Sequence, residues 1–108
     1  MIIDAHAHIF PDKIASRAAD GISSFYDIPV RFDGSVGQLL EINRKAGIDR
    51  AIVQSVATVP EQVHNINNFI SEQVRLHPEQ LIGFGALHPD FPDIAGETER
   101  IISSGCAE

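Results

Sequence analysis

Met1-Ile2-Ile3-Asp4-Ala5-His6-Ala7-His8 leads from three apolar residues, through Asp4 and Ala5, to two histidines spaced two apart. The stretch reads as a buried first strand with its chemistry at the carboxyl end. In a strand successive side chains alternate faces, so Asp4, His6 and His8 are expected on one face and Ile3, Ala5 and Ala7 on the other. With a rise of about 3.3 Å per residue the two imidazoles leave the backbone roughly 6–7 Å apart. They can then converge on one ion with metal–nitrogen bonds of about 2.0–2.1 Å. The plain alternative is two unrelated histidines near a strand end. The strand context, the neighbouring acid and a long connection from Ile9 to about Gly34 favour the metal reading, because α/β folds gather their sites at the carboxyl ends of strands.

Further along, Pro11-Asp12-Lys13-Ile14-Ala15 opens a short helix toward Tyr26, and Asp27 to Gly34 reads as loop, broken by Pro29 and Gly34. Ser35-Val36-Gly37-Gln38 fits a capping box. The helix behind it runs to about Ala46, with Val36, Leu39, Leu40 and Asn43 along one side and Gly47 as its stop. Ala51-Ile52-Val53 is a continuous apolar run, the pattern of a strand buried on both faces. Thr58-Val59-Pro60-Glu61 is a second capping-box candidate. Val63, Ile66, Ile70 and Val74 follow at helical spacing until His77-Pro78. Leu81 to Leu87 is a third apolar strand, in which Gly83 and Gly85 share a face that something approaches closely. His88-Pro89-Asp90 forms its carboxyl end. A last helix is expected from about Pro92 to Ser104, burying Ile94, Thr98, Ile101 and Ile102, with Gly105 as cap.

Strand and helix thus alternate three times, which implies an α/β fold with a parallel sheet. Gly105-Cys106-Ala107-Glu108 stands where a fourth strand would begin. Three βα units leave a short sheet with two open edges, and a closed eight-stranded barrel typically needs about 250 residues. The 108 residues therefore read as the first three units of a longer (β/α)8 barrel, truncated, with residues 1–108 forming part of a single domain. A complete small α/β domain is the competing expectation.

Composition narrows the chemistry. Hydrophobic residues make up 44% of the chain, enough for a core, and the net charge is −7, which argues against nucleic-acid partners and anionic membrane surfaces. A phosphoester substrate approached through a metal would still be compatible. No apolar run reaches the roughly 20 residues of a membrane span, and the start lacks the basic flank of a signal peptide. Cys106 is the only cysteine, so no intrachain disulfide can form. Cytoplasm is the expected compartment.

Four stretches together resemble the N-terminal part of a metal-dependent hydrolase of the amidohydrolase superfamily, in the amidohydrolase-related (amidohydrolase 2) group that contains both hydrolases and nonoxidative decarboxylases. They are Ile2 to Phe10, Gly47 to Val53, Leu81 to Pro89 and Glu99 to Cys106. The resemblance implies a (β/α)8 barrel with a divalent metal, most plausibly Zn2+, at the carboxyl ends of the strands. It implies that His6 and His8 are the first-strand ligand pair. The family's later-strand histidines and its final-strand aspartate, often the general base, have no counterpart in these residues. The catalytic residues themselves are therefore unassigned, and this chain alone is expected to be catalytically incomplete.

The implied reaction is attack of a metal-activated water on an amide, ester or lactone carbonyl of a small molecule. Nonoxidative decarboxylation is the alternative within the group. A TatD-like deoxyribonuclease is a second alternative, since Leu87-His88-Pro89 resembles the third-strand histidine of that class. A noncatalytic α/β module that forms homo-oligomers through its open sheet edges is the third. Asp4 is a candidate to support a ligand histidine, with a carboxylate satisfied by backbone amides as the plainer reading. His88 is a candidate substrate contact, or else a turn cap. His64 and His77 are expected at the surface. Phe10 and Phe25 are candidates to line a pocket or simply to pack. Cys106 is expected to be buried and inert.

Overall fold

The computed structural model describes residues 1–27, 29 and 32–106. Three strands, β1 (Ile3–His8), β2 (Arg50–Gln54) and β3 (Leu81–Gly83), form one parallel sheet in the order β1-β2-β3. Helix α1 (Asp12–Tyr26) follows β1, α2 (Val36–Ala46) leads into β2, α3 (Val63–Leu76) joins β2 to β3, and α4 (Ile94–Ser103) follows β3.

Each boundary has a local cause. Ser35 Oγ accepts from the Gln38 amide at 3.3 Å and starts α2. The reciprocal half of the expected capping box differs: Gln38 Oε1 accepts from the Asp33 amide at 2.6 Å, while the Ser35 amide donates to Asp33 Oδ1 at 2.8 Å. Gly47, at φ 74°, ends α2 in the left-handed conformation that glycine adopts without steric cost. Before α3, Gln62 takes the place expected for Glu61. Its Oε1 accepts from the Thr58 amide and hydroxyl at 2.9 and 3.0 Å across a 3-10 turn at Pro60–Gln62. Asp93 caps α4 through the Gly96 amide at 3.0 Å.

The core lies on one face of the sheet. Ala51, Val53 and Leu81 are fully buried there and cluster with Ala7, Ile9, Val36, Ile70, Ile101 and Cys106. Each large apolar side chain taken fully out of water contributes about 1.5–3 kcal/mol. Gly83 and Gly85 do admit a close approach. A Cβ on Gly83 would lie 2.6 Å from Val74 and 2.8 Å from Ile70 of α3, and one on Gly85 2.6 Å from Ile101 of α4.

Four expectations are corrected. The first strand is only partly buried: β1 lies at the edge of the three-stranded sheet, Ala7 is covered and Ile3 is 44% exposed. The second strand is fully buried on one face only, since Ala51 and Val53 are covered while Ile52 and Gln54 are half-buried. The third strand ends early. Gly83 is its last ladder residue, one further bond joins the Phe84 amide to the Val53 carbonyl at 2.9 Å, and the chain then leaves the sheet. The last helix buries Glu97 and Ile101, whereas Ile94 and Ile102 are exposed.

Glu97 is buried with partners on three sides. Arg100 donates to both its oxygens, at 2.9 and 2.6 Å, and Asn67 Nδ2 donates to Oε1 at 2.9 Å. His64, exposed on α3 as expected, places Nδ1 3.3 Å from Oε2. Arg100 also reaches Asn68 Oδ1 at 2.6 Å. This network fastens α4 to α3 where periodicity alone suggested an apolar seam.

Cys106 is buried against the core, and burial pushes its thiol pKa up, consistent with an inert cysteine. The expected start of a fourth strand falls partly on Ala107 and Glu108, outside the described residues. No helix among the described residues is long and apolar enough to cross a membrane.

Candidate metal centre

The carboxyl end of β1 departs from simple alternation. Asp4 pairs with Ala51 and Ala7 with Val53, so three steps on β1 oppose two on β2. One extra residue is accommodated in a bulge, a device that re-aims side chains and recurs beside functional sites. Asp4 closes it: its Oδ1 accepts from the His6 amide at 3.1 Å.

The bulge reverses the facing of whatever precedes it. Asp4 shares a face with its partner Ala51, and Ala7 with Val53, on the packed side; His8 pairs with Gln54 on the other side. The expectation that Asp4, His6 and His8 share one face is therefore corrected. Asp4 supports His6 through the backbone, the plainer of its two readings.

The two histidines do converge. His6 Nε2 and His8 Nε2 lie 3.0 Å apart, with ring centroids at 4.9 Å and planes inclined by 66°. Burial first, and the neighbouring His6 second, push the His8 pKa below its ordinary 6.5. A neutral imidazole with a free lone pair is the form that ligates a metal. Phe10 stacks on His8, with centroids at 6.5 Å and planes 9° apart. Phe10 is held in turn by its amide, which donates to the Gly34 carbonyl at 2.9 Å. Gly34 sits at φ 79°, and a Cβ there would approach the Phe10 ring to 2.9 Å. Phe25, by contrast, is 82% exposed on α1.

Gln54 is a site residue that pattern reading missed. Its amide nitrogen lies 2.7 Å from His6 Nδ1 and 3.0 Å from His6 Nε2. The two ring nitrogens point apart, so an amide near both lies against the ring rather than in line with either lone pair. The available signal was its position: Gln54 ends β2, the strand beside β1.

His88 makes a local contact in its own turn. Its Nδ1 accepts from the Asp90 amide at 3.1 Å, the turn-capping role, and among the described residues no hydrogen bond or ring contact joins it to His6 or His8. His77 ends α3, as expected.

The histidine pair supplies two imidazole donors and no more. Two imidazole nitrogens 3.0 Å apart are within the span that bonds of about 2.0–2.1 Å can bridge. Among the described residues no group of three or more His, Cys, Asp or Glu side chains is placed to hold an ion. A cavity of about 400 Å3 opens beyond Phe10, lined by Ile14, Val56, Ile66 and Phe69. A larger hollow of about 550 Å3, lined by Glu41, Arg44, Asp49 and Gln80, lies toward the amino end of β2, away from the histidines.

No family model matches the chain, and no curated protein sequence matches it. Among solved structures, the chain is similar to a probable 2-pyrone-4,6-dicarboxylic acid hydrolase from Acinetobacter baumannii, crystallised with citric acid bound. The likeness has a TM-score of 0.60 at 15% sequence identity and covers 98% of this chain and 35% of that protein. At that identity the likeness shows the fold: a mixed α/β arrangement around a parallel sheet, spanning about a third of the length of the protein it matches.

Proposed function

We propose that this chain carries the first-strand half of a divalent-metal site of the amidohydrolase type, within a (β/α)8 barrel that hydrolyses an amide, ester or lactone bond of a small molecule. The single observation that carries the reading is the convergence of His6 Nε2 and His8 Nε2, 3.0 Å apart, at the carboxyl end of a parallel strand. The likeness in fold to a probable hydrolase supports it.

His6 and His8 would hold the ion; zinc is the choice the family resemblance implies, among the several first-row ions that imidazole donors suit. The ion would supply Lewis acidity and a more acidic water. The protein's own part is orientation. The Asp4 carboxylate fixes the bulge that turns His6, Phe10 stacks on His8, and burial disfavours the charged form of His8. The base that accepts the water's proton is a carboxylate in this reading and is not assigned to a residue of this chain. The remaining ligands are sought in the rest of the barrel.

Calorimetric titration of the metal-free chain with Zn2+ and Co2+ tests the reading. One ion per chain is expected, with affinity falling at least about tenfold in His6→Ala and in His8→Ala, since each removes a direct ligand. Binding that is absent in the parent chain, or unchanged in the double variant, overturns it.

A further inference from the structure

The cavity beyond Phe10 begins where two strands end: Phe10 follows the last residue of β1 by two, and Val56 follows the last residue of β2 by two. We infer that this cavity receives an uncharged aromatic ring of the substrate and so selects which carbonyl compounds reach the histidine pair. The inference rests on the hydrolase reading above and adds a substrate class to it.

The walls are apolar and held in place. Ile66 and Phe69 of α3 form the inner wall and pack against the core. Ile14 of α1 and Val56 form the outer part, and they leave apolar surface uncovered, at 37% and 62% exposed. Helix α1 does not pack closely on α3, which leaves the gap between them open. Phe10 is fixed by the hydrogen bond from its amide to the Gly34 carbonyl. A volume of about 400 Å3 falls within the usual span of ligand pockets, about 300–1,000 Å3. Phe10 and Phe69 offer aromatic faces and edges to a guest ring, and such pairing adds to the burial of its surface.

Charge narrows the guest further. Among the described residues that line the cavity no Lys, Arg or His stands to receive an anion, and Glu61 brings a carboxylate. An anionic group placed there would lose hydration and face a like charge. Neutral polar contacts remain at the rim. Gln62 Oε1 is taken by the Thr58 amide and hydroxyl at 2.9 and 3.0 Å, which leaves its NH2 group as a donor. Phe10 is also the wall shared with the pair, because it stacks on His8 with centroids 6.5 Å apart. A ring seated against Phe10 is thus one side chain away from His8, within reach of a carbonyl that the ring carries.

The test titrates 4-fluorobenzamide into the full, metal-free chain and follows it by 19F NMR, with 4-fluorobenzoate as the charged comparator. Saturable binding is expected with a dissociation constant of about 1 mM or tighter, the scale of a ligand of this size. Nuclear Overhauser contacts should join the ring to the methyl groups of Ile14 and Ile66, and the benzoate should bind at least about tenfold more weakly. Ala18→Trp fills the cavity from α1, and Val56→Asp puts a charge at its exposed mouth. Each should weaken the amide at least about tenfold. Glu61→Lys should raise the affinity of the benzoate severalfold. Unaltered circular dichroism and melting of Ala18→Trp separate a filled cavity from a lost fold, and Val56→Asp checks the result at an exposed position. No saturable binding, parent-like binding in both variants, or contacts to Leu39 and Ile42 of the 300 Å3 hollow beside β1 overturn the inference. Benzoate bound as tightly as the amide overturns the assignment of an uncharged group. The histidine pair is read separately. Amide binding in a parent chain that takes up no Zn2+ overturns the metal reading and leaves the apolar site standing. Zn2+ uptake that depends on His6 and His8, in a chain that binds no amide, overturns the cavity alone.

Discussion

Asn67 and Ala86 are joined by a two-way clasp: the Asn67 carboxamide accepts from the Ala86 amide at 2.7 Å and donates to the Ala86 carbonyl at 2.9 Å. Ala86 lies beyond the end of β3, where the sheet no longer satisfies its backbone, and it is buried. A buried backbone group without a partner costs about 1–3 kcal/mol. The side chain of α3 therefore does what a neighbouring strand would have done, and Glu97 fixes the orientation of the amide by accepting its second hydrogen at 2.9 Å.

Asn67→Leu should accordingly destabilise the chain by about 2–5 kcal/mol, because two buried backbone groups lose their partner and the Glu97 carboxylate loses one of its hydrogen bonds at once. Chemical denaturation gives the total. Amide exchange should show the Ala86 N–H losing protection ahead of β2. An Ala86 amide as protected as in the parent chain would contradict the clasp.

The pH dependence follows from Glu97. The hydrogen bonds from Arg100, helped by Asn67 and opposed by burial, hold its carboxyl at about 2, below the ordinary 4.5. A carboxyl whose folded value is depressed binds its proton more readily in the unfolded chain. Its contribution to stability is complete above pH 4.5 and is lost as the pH falls toward 2. Glu97→Gln should lower stability at neutral pH and flatten the stability curve between those values. Equal acid slopes in the parent and the variant would assign the acid loss to other groups.

Gly83 has a steric role. A methyl group there would press on Val74 and Ile70, both on the core side of α3. Gly83→Ala should cost about 1–3 kcal/mol through overpacking. Val74→Ala, introduced together with it, should recover part of the loss in a denaturation double-mutant cycle, since the two positions share one contact. Strict additivity would mean that the helix moves instead.

Asp4 is predicted to act through the backbone alone. Asp4→Asn keeps an acceptor for the His6 amide and should leave cation affinity within about twofold of the parent chain, while Asp4→Ala opens the bulge and should lower it about tenfold or more. The comparison is read by the same calorimetric titration as for the histidines. Equal losses in both variants would show that the negative charge of Asp4 matters, not its hydrogen bond.

Much of this was legible in the residues. The start of α2, the Gly47 stop and the alternation of strands and helices along the chain follow from caps, glycine and hydrophobic period, which act within a few residues of one another. The glycine pair at 83 and 85 announced a close approach but not its partners, because Val74, Ile70 and Ile101 arrive from other helices. Ile94 and Ile102 show the limit of the same reasoning. Periodicity marks a face as apolar, but what lies opposite decides whether it is covered, and α4 turns Glu97 inward to meet Asn67 and Arg100.

The sequence by itself determined that β1 ends in a histidine pair, because an apolar run with two histidines two apart is a local pattern that needs no partner to be read. Tertiary structure decided how the pair is used. The bulge that moves Asp4 to the packed face exists only in the pairing of β1 with β2, and the approach of Gln54 to His6 exists only because β2 lies beside β1. Alternation is a property of one strand, but facing and reach are properties of two. A one-residue slip between strands changes every side chain that precedes it, with no mark in the sequence where it occurs.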